Sequence, residues 1–147
     1  RVRSLAEWGD TLDRCRFLVP NVAVSRLGLT QEGRPSPRAL SLFPRRRFLV
    51  VEFDDGASLD AQAARLRFLA VQAPLTLVVF SGSKSLHGWF ACAGVSETLL
   101  RAFFAQACHL GADPATWQRH QLVRLPQGLR QPGQCRQGVY YFNPFDL

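Results

Sequence analysis

Glu52 and Asp54 stand one residue apart at the end of the apolar run Phe48–Asp54, and Ser85 and His87 stand one residue apart where a second apolar run has passed through Ser81-Gly82-Ser83-Lys84. Side chains alternate along a strand, so each pair shares one face. Two carboxylates on one face repel unless a cation lies between them or one is protonated. Hard cations such as Mg²⁺ or Mn²⁺ are held by such oxygen ligands. In the Ser81–Lys84 stretch, glycine lets the backbone come close to a phosphate, and hydroxyl and N–H groups donate to it. Lys84 adds a point charge, and His87 can donate from a ring nitrogen. The stretch is not a Walker A loop, because its Gly–Lys spacing differs and no helix follows. The bland alternatives are a solvated acidic strand end and a polar hairpin holding a partly buried histidine.

Further candidates lie downstream. Arg124 sits in an apolar segment, Leu122–Leu125, where an unpaired guanidinium is costly. It therefore requires an anion, either a carboxylate of this chain or a phosphate. Arg130 follows in the same loop-rich region. Asp113 precedes Pro114 and reads equally as a helix N-cap and as a third metal ligand. Arg45-Arg46-Arg47, just before the acidic strand, is either a solvated loop or a track for a nucleic-acid backbone.

The elements that must position these residues follow from pattern. Phe48–Asp54 is short, apolar and β-branched, which predicts a strand ended by Asp55-Gly56. Ser58 predicts an N-cap for a helix to about Gln72, with Leu59, Ala63, Leu66 and Ala70 as its apolar stripe. Strands are predicted over Leu75–Phe80 and Ser85–Ala93, joined by the polar turn into an antiparallel hairpin. Ser96 predicts the cap of a second helix whose buried side carries Leu99, Leu100, Phe103, Phe104, Ala107 and Leu110. Asp113-Pro114 opens a short helix to about Arg119. Strands follow at Leu122–Leu125 and Val139–Phe142, separated by a Gly/Pro/Arg loop over Pro126–Cys135. Upstream, Phe17–Ser25 reads as one or two short strands broken by Pro20-Asn21, and residues 31–47 as loop. The order predicts an α+β class, with helices packed on one face of a mostly antiparallel sheet.

The 147 residues make one ordinary domain, long enough for a core without staples. The complete lack of Met fits a domain excised from a longer protein. No apolar run approaches the roughly 20 residues that span a bilayer, so no membrane role is expected. The net charge of +7, with 18 basic against 11 acidic residues, favours a polyanionic partner. Lys84 is the single lysine. The cysteines, Cys15, Cys92, Cys108 and Cys135, show no C-x₂-C or C-x₄-C spacing. Reduced thiols and a cytoplasmic location are expected. Cys108-His109 with Cys135 lacks an obvious fourth ligand, so structural zinc is not expected.

Taken in order, these motifs resemble those of the archaeo-eukaryotic primase superfamily, particularly primase-polymerase domains of plasmids, phages and other mobile elements. The two alternating acids are similar to Val50-Val51-Glu52-Phe53-Asp54, and the Ser-x-His opening a strand is similar to Ser85-Leu86-His87. The third acid is matched by Asp113, with Leu122-Val123-Arg124-Leu125-Pro126 resembling an Arg-x-Pro stretch. The resemblance spans about residues 17–143. It implies a two-unit α/β fold around a cleft, one unit having an RNA-recognition-type sheet.

It also implies that Glu52, Asp54 and Asp113 are catalytic acids holding two Mg²⁺ or Mn²⁺ ions. Ser83, Lys84, Ser85, His87, Arg124 and Arg130 would bind the incoming nucleotide. The implied activity is DNA-directed primase/polymerase chemistry on a single-stranded DNA template with nucleoside triphosphates, alongside a helicase domain in the full-length protein. Two departures stand out: Glu replaces the commoner Asp at the first acid, and the third motif is blurred. The rival expectation is a non-catalytic nucleic-acid-binding module of a replication initiator, using charge and the aromatics Trp89, Tyr140 and Tyr141. A metal-dependent nuclease shares the acids but has less need of Ser-x-His.

Overall fold

Phe48–Glu52 (β4), Leu75–Phe80 (β5), Leu86–Ala91 (β6) and Val139–Phe142 (β8) form a four-stranded sheet in the order β4-β6-β5-β8, with every pair antiparallel. The computed structural model describes residues 5–9, 11–131 and 135–146. Before the sheet come one-turn helices Leu5–Trp8 (α1) and Thr11–Arg14 (α2), then the two-residue strands Phe17–Leu18 (β1), Gly28–Leu29 (β2) and Pro35–Ser36 (β3). Two longer helices, Leu59–Ala70 (α3) and Glu97–His109 (α4), follow β4 and β6, and Val123–Arg124 (β7) precedes β8. The architecture is α+β with antiparallel sheets.

The alternation in β4 divides its residues between two faces. Leu49, Val51 and Phe53 pack with Leu86 and Phe90 of β6 against Leu66 and Leu69 of α3 and Leu100, Phe104 and Ala107 of α4. Burying each such large side chain contributes about 1.5–3 kcal/mol. On the opposite face Val50, Val79 and Trp89 pack under Val123 and Leu18. That face is covered by a separate ribbon, β1 with β7, in the register Phe17↔Arg124. Gly88 lets α3 approach β6 closely, since a Cβ there would run into the Leu66 side chain.

Ser58 and Ser96 cap α3 and α4, accepting from the N–H groups of Ala61 and Leu99 as the serine positions predict. Several expectations are corrected. The Leu122–Leu125 strand shrinks to β7 and pairs with β1, not with the central sheet. The strands expected over Phe17–Ser25 reduce to β1. Beyond it the buried Asn21 leaves strand geometry to accept from the N–H groups of Arg47 and Phe48 and to donate to the Arg119 carbonyl. The strand expected from Ser85 starts at Leu86, because Ser85 closes the turn with Ser81 through N–H to O bonds in both directions. Leu99 is 64% exposed, so the buried stripe of α4 runs through Leu100, Phe104 and Ala107 instead. The helix expected from Asp113 to about Arg119 is a 3₁₀ turn, Pro114–Trp117. The loop expected over Pro126–Cys135 lies partly outside the described residues.

Candidate functional site

Glu52 and His87 are cross-strand partners on β4 and β6, on the face away from the helices. Their side chains therefore meet without any long loop having to bring them together. His87 Nε2 lies 3.3 Å from Glu52 Oε1. The approach is ion-pair distance but off hydrogen-bond alignment, and neither ring nitrogen of this 3% exposed histidine has a hydrogen-bond partner. Ser85 Oγ donates to the same Glu52 oxygen at 2.9 Å. One carboxylate oxygen thus collects both residues of the Ser-x-His pair. Burial would raise the Glu52 pKa; His87, Ser85 and the field of Arg124 outweigh it and hold the carboxyl below its ordinary range.

Asp54 lies just past the strand, and its Oδ1 pairs with Lys84 Nζ at 2.8 Å. Both side chains are largely exposed, so the pair fixes geometry more than stability. Gly82, at φ +79°, turns the chain between β5 and β6 in a conformation that suits glycine. The side chain of Arg130 packs over this glycine, and its Nη1 donates to the Ser81 carbonyl at 3.3 Å. Ser83 is exposed on the turn.

Arg124 arrives on the β1–β7 ribbon, with its guanidinium 4.4 Å over the Phe17 ring. Among the described residues it makes no ion pair, although an intramolecular salt bridge was one expectation. Burial lowers its pKa, Arg130 and Arg16 lower it further, and Glu52 opposes them. A guanidinium crowded by two others, with Glu52 as the opposing charge, suits an anion at this surface.

Asp113 is beside this cluster by backbone, its N–H donating to the Glu52 carbonyl at 2.8 Å. Its carboxylate, however, accepts from the Ala115 N–H and caps the 3₁₀ turn. Among the described residues no group of three or more His, Cys, Asp or Glu is arranged to hold a metal ion. The residues brought together are Glu52, Ser85 and His87, with Lys84–Asp54, Arg124 and Arg130 around them; the third acid is adjacent but turned to capping. Glu52 and Asp54 offer carboxylate oxygens, the donor type that a hard divalent cation takes, each with one oxygen engaged by protein. All four cysteines are free, and burial pushes the Cys92 thiol up to about 11.

No protein family, curated protein or solved structure matches the chain.

Sequence reasoning missed Gln62. This α3 residue is 1% exposed; its Nε2 donates to the carbonyls of Ala57 and Lys84, and its Oε1 accepts from the Leu86 N–H. It pins the backbone on both sides of Ser85. The available signal was position: residue 62 lies four after Ser58 and four before Leu66, so a polar side chain there shares the buried face. The aromatics of the rival reading do not form one platform. Trp89 is buried at 6% exposure, whereas Tyr140 stacks on Phe80 at the β8 edge, 5.5 Å between centroids.

The lowered Glu52 pKa fixes a pH dependence. A carboxyl depressed in the folded state contributes stability above its unfolded value, near 4.5, and loses it as pH falls through the lower folded value. The stability difference between the wild type and Glu52→Gln, read from urea midpoints, is therefore expected to narrow below pH 4.5. A difference that stays constant or widens there would contradict the arrangement.

Proposed function

We propose that this chain carries out template-directed, divalent-metal-dependent nucleotidyl transfer, as a primase-polymerase domain resembling the archaeo-eukaryotic primases. One observation carries the reading: Glu52 and the Ser85–His87 pair, the first two motifs of that resemblance, share a single carboxylate oxygen across neighbouring strands. Cross-strand register sets Glu52 opposite His87, and Ser85 Oγ reaches the same oxygen, which supports treating the three as one site. The antiparallel sheet with α3 and α4 on one face is compatible with the RNA-recognition-type unit of such a fold.

In this reading Glu52 and Asp54 hold the cation, and Asp113 joins them by exchanging its cap for a ligand role. A divalent metal held there would make a 3′-hydroxyl more acidic and would stabilise the leaving pyrophosphate. The chain's own residues do the positioning. Lys84 and the N–H groups of Gly82, Ser83 and Lys84 at the tip of the turn receive phosphate oxygens, with Ser83 Oγ as a further donor. His87, whose buried ring nitrogens lack hydrogen-bond partners, would donate to the same anion once the site opens to admit it. Arg124 and Arg130 close the phosphate site from the ribbon side. The substrates would be nucleoside triphosphates and a single-stranded DNA template, with a helicase domain as the natural companion in a longer protein. The test is incorporation of labelled nucleotides on single-stranded DNA with Mg²⁺ or Mn²⁺.

A further inference from the structure

At the other end of β4 the chain forms a groove of about 1030 Å³. Arg45, Arg46, Arg47 and Arg119 line it, and Glu97 is the only carboxylate among its lining residues. Glu97 is already engaged by Arg101, with Nη2 3.7 Å from Oε1. Arg45 and Arg47 are exposed, and Arg119 is anchored through Nη1 to the Pro44 carbonyl at 3.0 Å. Arg46 is held beneath them, 9% exposed, donating to the Trp117 carbonyl at 2.9 Å with its guanidinium 4.4 Å over the Trp117 ring. Arg101 stacks on that same ring at 4.9 Å. Burial lowers the Arg46 pKa; Glu97 and Cys92 oppose this, and Arg119 and Arg101 add to it. So many guanidiniums around one spoken-for carboxylate repel each other unless a polyvalent anion enters the groove.

We infer that this groove holds the sugar-phosphate backbone of the single-stranded template, at the end of β4 opposite Glu52. The inference rests on the template-directed reading above. Five residues of strand separate Arg47 from Glu52, about 16 Å at 3.3 Å per residue. Planar guanidiniums suit phosphate oxygens, and a basic groove that follows the backbone needs no base contact. Exposed Val22 and Val24 add apolar area at the rim for sugars or base edges.

The test is fluorescence anisotropy with a dye-labelled single-stranded oligothymidylate over a salt series, comparing wild type with Arg45→Ala/Arg47→Ala. Both arginine side chains are exposed, so the double variant is expected to fold. Its affinity should fall about tenfold or more, and its log–log salt slope should shrink by about 1.4, at roughly 0.7 per lost phosphate contact. Glu52→Gln serves to score incorporation alone, so that failure of the groove and failure of the catalytic reading are told apart. Unchanged affinity and slope in the arginine variant would overturn the groove, as would a wild type that binds no strand. Displacement by polyglutamate as effective as by unlabelled strand would assign the groove to acidic protein segments and overturn it too. Glu52-dependent incorporation surviving such a failure would leave the catalytic reading standing, whereas incorporation insensitive to Glu52 would sink that reading whatever the groove does.

Discussion

Replacing Glu52 by Gln is expected to lower metal-dependent nucleotide incorporation by about 10³-fold or more. The amide keeps the shape and can still accept from Ser85 Oγ, which the wild-type carboxylate does at 2.9 Å. What it removes is the negative charge needed to hold a divalent cation, whose stabilisation amounts to several kcal/mol, each 1.36 kcal/mol being tenfold in rate. His87 also loses the carboxylate 3.3 Å from its Nε2, so its role toward phosphate is altered at the same time. Incorporation kinetics at saturating nucleotide measure this directly. Retention of activity within about tenfold would mean that the acid is a strand-end residue and no ligand.

Gln62→Leu is expected to destabilise the fold by about 3 kcal/mol. Leucine fills nearly the same space, but the Ala57 and Lys84 carbonyls and the Leu86 N–H each lose their side-chain partner. A buried group left unpaired costs about 1–3 kcal/mol, and partial solvent access at Ala57 moderates the sum. A lower urea midpoint at unchanged slope checks it. Because two of the three groups flank Ser85, the nucleotide KM should also rise in whatever fraction remains folded. A loss below about 0.5 kcal/mol would show that the turn holds itself without α3.

Much of this arrangement was legible because it is local. The β-branched run of β4, the serine caps of α3 and α4, and the polar hairpin between β5 and β6 are each specified within a few residues, and the shared side of Ser85 and His87 follows from local geometry, whereas β4 ends at Glu52 and leaves Asp54 beyond its alternation. What escaped was decided at a distance. Nothing near Val123 marks its pairing with Leu18, which joins segments over a hundred residues apart into a ribbon of their own. Leu99 and Leu100 look alike in a periodic pattern, and only the packing of α4 on the sheet selects Leu100. Gln62 was invisible to a search for apolar stripes, since its burial depends on backbone partners supplied by the Ser81–Leu86 turn. Asp113 illustrates a genuine fork: one carboxylate suits both a cap and a metal, and the fold shown uses it as a cap.

The most direct measurement is primer synthesis on single-stranded DNA with labelled nucleotides and Mn²⁺ or Mg²⁺, comparing wild type with Asp54→Ala. Asp54 is largely exposed and its main described partner is Lys84, so the variant should fold and still bind single strands. Metal-dependent product from the wild type that disappears in the variant is the predicted result. Strand binding by both proteins with no product from either, or product that persists in Asp54→Ala, would contradict the placement of a polymerase site on β4.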